Sequence, residues 1–158
     1  MSKVFQQEEH IKNVLESVER AMYDDAGVRL KDITGVAGAG ASILSGLSIG
    51  VDRIIMNPGS KFPLHIHEGA HLLYVLNGNG GLHIDGVDYA LRTGDSVYVP
   101  AAYPHGVQGP LDDNPLEFLA FGVPHHPIDS HTRMTLVRND EDITFLPGQS
   151  AAEGALVR

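Results

Sequence analysis

The chain has no cysteine and no tryptophan. The first absence excludes disulfides, thiolate nucleophiles and every cysteine-based zinc or iron–sulfur site, so any metal must be held by nitrogen and oxygen ligands. Basic residues are scarce as well: 11 Lys and Arg against 20 Asp and Glu give a formal net charge of −9. They are scattered and form no basic stripe, which argues against binding a phosphate backbone. No run of residues approaches the roughly 20 apolar positions needed to cross a bilayer. The N-terminus, MSKVFQQEEHIKNVLE, lacks the basic-then-apolar layout of a secretory signal. A cytoplasmic protein with neither nucleic acid nor membrane as a partner is the expectation. What is present is a 42% hydrophobic content over 158 residues, enough for one globular domain with a core.

Residues 6–24 place Ile11, Val14, Leu15, Val18 and Met22 at helical spacing, which predicts an amphipathic N-terminal α-helix. Glu8 and Glu9 suit its start and Gly27 its stop. Residues 35–50 are rich in Gly, Ala and Ser and read equally as a flexible connection or a weak strand. They lack the Lys-Ser/Thr ending of a phosphate loop. From about 51 to 123 short apolar runs alternate with turns: VDRIIM, HLLYVL, LHI, VDYAL, SVYVP and LEFLAFG. Asp85-Gly86 between two such runs signals a hairpin. Strands at this spacing predict an all-β barrel or sandwich. The segments RMTLVR and ITFLPG in the tail offer one or two further strands before SAAEGALVR at the end.

Three of the nine histidines, His65, His67 and His71, fall within seven positions. Alternate residues of a strand share a face, so His65 and His67 project together while Leu64, Ile66 and Glu68 face away. Gly69 permits a bend, after which His71 starts the next strand on the face of Leu73 and Val75. His105 lies about one hairpin further along, where antiparallel pairing brings it opposite. Neutral imidazole suits Mn, Fe, Cu, Ni and Zn. Four such ligands cancel none of the ion's charge, keep it a strong Lewis acid and leave positions open for water, substrate or dioxygen.

These residues resemble the two motifs of the cupin superfamily. The first runs Gly, five residues, His-x-His, three or four residues, Glu, six residues, Gly; Gly59, His65-Ile66-His67, His71 and Gly78 follow it, with His71 in place of Glu. The second runs Gly, five residues, Pro-x-Gly, two residues, His, three residues, Asn. Gly94, Pro100, Ala102 and His105 follow it, Ala102 standing for the second Gly and Gly109 for the Asn. The motifs cover residues 59–109 and the strand pattern extends the likeness to roughly 50–123. The resemblance implies a cupin-type double-stranded β-helix, a jelly-roll barrel with a metal in its mouth and a homodimeric assembly. It carries His65, His67 and His105 over as ligands directly and His71 by position. The implied cofactor is one divalent transition metal per chain, with Mn, Fe or Cu favoured and Zn or Ni admitted, because all-histidine cupins resemble oxidative members. The implied layout is a helical extension over 1–34, the barrel over 35–123 and a C-terminal extension over 124–158 packing on the barrel or on a partner chain.

Outside the ligand set, His10 is expected on the surface, His83 in a strand, and His125 and His126 in a solvated loop or lining the mouth. His131 is assigned no role. Tyr98, Tyr103, Phe62, Phe118 and Phe121 are candidates for an apolar pocket, though each is as readily core. Arg53, if inward, is the candidate for gripping a substrate anion; a surface salt bridge is the alternative. Tyr98, Tyr103 and Arg53 are the catalytic candidates. Three functions follow in order: an oxidative, dioxygenase-like enzyme acting on a small organic substrate; a non-redox isomerase, lyase or cyclase; and a small-molecule-binding protein without catalysis.

Overall fold

The structure is a computed structural model, and it describes residues 7–44, 47–84 and 87–137. Asp85-Gly86, the segment ITFLPG and the final residues lie outside the described residues. The elements in chain order are one helical turn, α1 (Gln7–His10), then β1 (Arg20–Tyr23), β2 (Arg29–Leu44), β3 (Leu47–Met56), β4 (Lys61–Ile66) and β5 (Ala70–Asn77). There follow β6 (Asn79–Ile84), β7 (Val87–Arg92), β8 (Ser96–Val99), β9 (His105–Gln108), β10 (Leu116–Val123) and β11 (Thr135–Leu136). A six-stranded sheet has the order β1-β2-β3-β10-β5-β8 and a five-stranded sheet the order β11-β4-β9-β6-β7. Every pairing is antiparallel. This is the all-β architecture that the strand spacing predicts, in the jelly-roll form that the resemblance implies.

The core lies between the sheets. Along β10, Leu116, Phe118 and Ala120 are buried while Glu117, Leu119 and Phe121 are only half-buried, the period-two signature of a strand with one face inward. On β3 the buried Asp52, Ile54 and Met56 alternate with Arg53. Asp52 is therefore a carboxylate on the core face.

The helix predicted over 6–24 is not formed; only Gln7–His10 make a turn of helix. Two interactions outcompete it. Asn13 folds its side chain onto the Leu15 amide at 2.9 Å, a local turn that diverts the backbone from helical bonding. Arg20–Tyr23 instead pair with β2, which carries Met22 to 1% exposure in the core. Of the rest of the stripe, Val14 is half-buried, while Ile11, Leu15 and Val18 stay 62%, 68% and 77% exposed. Of the Gly/Ala/Ser-rich stretch, residues 35–44 and 47–50 are strand. Its small residues let neighbours approach closely: Ile128 fills the space a Cβ at Gly35 would need, and Val14 packs over Gly38.

Candidate metal centre

Antiparallel pairing of β4 with β9 puts His65 directly opposite His105. Their ring centroids are 4.4 Å apart, and the His67 ring lies 5.0 Å from His65 and 4.7 Å from His105. One nitrogen from each of the three lies within 4.8 Å of the others. All three residues are buried.

Each ring of this trio is oriented by a carbonyl two residues away. The Nδ1–H of His65 donates to Pro63 O at 2.7 Å, that of His105 to Tyr103 O at 2.8 Å, and that of His67 to Gly69 O at 3.3 Å. A carbonyl only accepts, so Nδ1 carries the proton and Nε2 is left with its lone pair. Burial also keeps the rings neutral. It depresses His65 well below the ordinary imidazole value, and His105 and His67 add like-charge opposition there. Burial, then His105, pushes His67 down to about 3, and burial lowers His105. Three neutral, oriented nitrogen donors around one point fit a divalent transition ion.

His71 stands beside the trio. On β5 it shares the inward side with Leu73 and Val75, and its ring stacks on His67 with centroids 3.9 Å apart. Burial, and then the nearby His67, pushes it down to about 2. Its Nε2 would be 3.3 Å from a Cβ at Gly122, so the glycine on β10 leaves the ring its space. No backbone carbonyl orients His71 as in the trio, among the described residues. Glu68 faces away, its side chain 78% exposed and 3.6 Å from His126 Nε2.

The four imidazoles line a cavity of about 40 Å³ between the sheets. Its walls are mostly apolar, with Ile54, Phe62, Leu73 and Phe118 among them. Among the described residues, the one cationic side chain in the lining is Arg133.

The other candidates lie elsewhere. Arg53 points to the outer face and binds Glu117 through Nε at 2.9 Å and Nη2 at 2.6 Å. Tyr98 is 65% exposed on β8. Tyr103 packs against the core and supplies the carbonyl for His105. Phe121 lines a separate shallow groove with His10. His83 is buried against Asp88 at 2.6 Å, and His131 packs on Tyr23 at 5.1 Å. The His125-His126 pair is not a solvated loop: His125 Nε2 is 2.9 Å from Asp52 Oδ2, and Gly50 leaves its ring room, a Cβ there falling 2.5 Å from the ring.

Sequence reasoning missed Arg133 and Asp52. The alternation of Asp52 with Ile54 and Met56 was a usable sign that a carboxylate faces the core. Arg133 gives no local signal, since its partner is 81 residues away.

Residues 52–122 match the Cupin domain family. The chain carries a cupin domain. An oxalate-binding protein of Thermotoga maritima is 35% identical over 69 residues, 43% of this chain and 56% of its own length. A quercetin 2,3-dioxygenase of Bacillus subtilis is 44% identical over 48 residues, 30% of this chain and 14% of that enzyme. The chain thus spans only part of either relative. Among solved structures, the polyketide cyclase RemF from Streptomyces resistomycificus aligns over 83% of this chain and 87% of its own with a TM-score of 0.64 at 20% identity, a likeness of fold. Within the cupin motifs, Gly59, Gly78 and Gly94 all have positive φ. Ala102, standing where the motif has glycine, is held at φ 56°, a left-handed backbone that costs a side-chain-bearing residue roughly 1–2 kcal/mol.

Proposed function

We propose that this cupin is a metal-dependent, dioxygenase-like oxidoreductase acting on a small organic substrate, with His65, His67, His105 and His71 holding one divalent transition ion. The observation that carries the reading is the buried trio whose Nδ1 protons are tied to backbone carbonyls. The partial similarity to a quercetin 2,3-dioxygenase supports the oxidative branch. When bound, such an ion supplies Lewis acidity and electron exchange between dioxygen and substrate. The chain's own part is to present neutral nitrogens in one fixed tautomer, which needs no reorganisation on loading. Phe62, Phe118, Ile54 and Leu73 exclude bulk water, and the small cavity restricts what enters. The same reading includes a cytoplasmic homodimer, with the exposed Leu72, Tyr74 and Tyr98 on the outer face of the six-stranded sheet as the surface for a second copy.

A second reading, binding without turnover, is favoured by the similarity to an oxalate-binding protein. Elemental analysis followed by oxygen-electrode assays with small diketones separates the two. The oxidative reading expects bound Mn, Fe or Cu and substrate-dependent oxygen uptake, reduced at least about 100-fold in His105→Ala, since even residues behind a metal's ligands cost 10–100-fold when removed. Saturable binding with no uptake would move the assignment to the binder, and a protein that cannot be loaded with metal would sink the oxidative reading.

A further inference from the structure

We infer that Arg133 is a carboxylate-binding residue, and that the cavity takes small organic carboxylates with the acid group on the guanidinium and the remainder toward the imidazoles. The inference rests on the proposed site as the place where substrate binds, and names the class of that substrate.

Arg133 reaches the cavity from the C-terminal segment, outside the cupin motifs. Its position is fixed by the strand that follows it: Thr135 and Leu136 pair with Ile66 and His65 of β4, and the Val137 amide donates to Leu64 O at 3.0 Å. The arginine is thus tied to the same strand that carries His65. It is 6% exposed, a burial that arginine rarely accepts without a reason.

Among the described residues, its head is anchored on one side only. Nη1 donates to Asp52 Oδ2 at 2.8 Å and to the His126 carbonyl at 2.7 Å, which uses both hydrogens of that nitrogen. Asp52 is itself 0% exposed and is braced by His125 Nε2 at 2.9 Å. Asp52 and His125 are positioning residues that hold the guanidinium plane. The Nε–Nη2 edge keeps three N–H groups beyond these contacts, in the fork geometry that matches a carboxylate with two parallel hydrogen bonds. Asp52 balances the charge of Arg133, and the four imidazoles supply no negative charge, so the site has none of its own to repel an anion. The rest of the lining is apolar and the space is about 40 Å³, which suits acids of a few heavy atoms.

Calorimetric titration with pyruvate and its neutral amide, pyruvamide, tests this on the full chain, both metal-free and metal-loaded, with metal content measured on each sample. Pyruvate is expected to bind both forms at least about 10-fold more tightly than pyruvamide, since a hydrogen-bonded charge is worth more than a neutral pair. Arg133→Gln is expected to weaken pyruvate by roughly 10- to 100-fold while leaving pyruvamide unchanged. Arg133→Lys, which keeps the charge opposite Asp52 but not the fork, is expected to fold as wild type and still bind pyruvate more weakly than arginine does. Equal affinity for acid and amide in wild type, a result independent of any variant's folding, would overturn the inference. So would unchanged pyruvate binding in a folded Arg133→Gln or Arg133→Lys protein. A protein that binds pyruvate through Arg133 yet takes up no metal would overturn the proposed function and leave this inference standing; a metal-loaded protein with no preference for the acid would do the reverse.

Discussion

His71 stands where a cupin motif ordinarily has a carboxylate, and the neighbouring Glu68 is the natural suspect for a displaced acid. Strand alternation decides between them: His71 shares the inward side with Leu73 and Val75, while Glu68 is exposed and near His126. His71→Ala should weaken metal retention by about 10-fold or more, in line with the loss of a group that supports a metal. Glu68→Ala should leave it unchanged, because an exposed pair contributes little. Metal retained after dialysis against a graded chelator series reads both; equal loss in the two variants would refute the parity argument. The same alternation made His65 and His67 legible as a pair from sequence, and the motif spacing brought in His105. It could equally have shown Arg53 as outward, since Asp52 on its neighbour's side alternates with Ile54 and Met56. Arg133 was not legible, because it enters the cavity only through a strand pairing of distant segments.

At the scale of elements, the strands between 51 and 123 were legible because their alternating apolar residues and glycine turns agree with the tertiary pairing. One segment was misread and another was left open between loop and strand. Over 6–24 a helical apolar period was present, but Ile11, Leu15 and Val18 have no surface to cover them, and Met22 gained more by joining the core through β1. Over 35–44 small residues offered little strand propensity, and their role is spatial: Gly35 and Gly38 admit Ile128 and Val14. Glycine serves the site in the same way, with Gly50 and Gly122, partners on β3 and β10, making room for His125 and His71. A sequence window shows that such residues are small, and the packed partner that explains them lies on another strand.

For the whole molecule, four neutral histidines around the cavity, three of them buried, couple folding to pH. Their folded values lie below the ordinary 6.5, with His67 near 3 and His71 near 2. Above 6.5 neither state binds protons at these groups, and their full contribution to stability is present. As pH falls below 6.5 the unfolded chain takes up protons that the folded chain refuses, so stability declines progressively toward the depressed folded values. The urea midpoint of the metal-free protein should therefore fall between pH 7.5 and about 5.5, a window above the ordinary titration of carboxylates. A flat midpoint there would mean that the imidazoles are not held neutral by burial.

The central claim is that this barrel binds a metal through histidine nitrogens without a carboxylate. X-ray absorption spectroscopy of the metal-loaded protein, with metal content measured on the same sample, tests it most directly. The account predicts one ion per chain, a first shell of nitrogen and water-type oxygen, and multiple-scattering features of at least three imidazoles that weaken in His65→Ala. An ion bound with one imidazole or none, or a spectrum indifferent to His65→Ala, would contradict it.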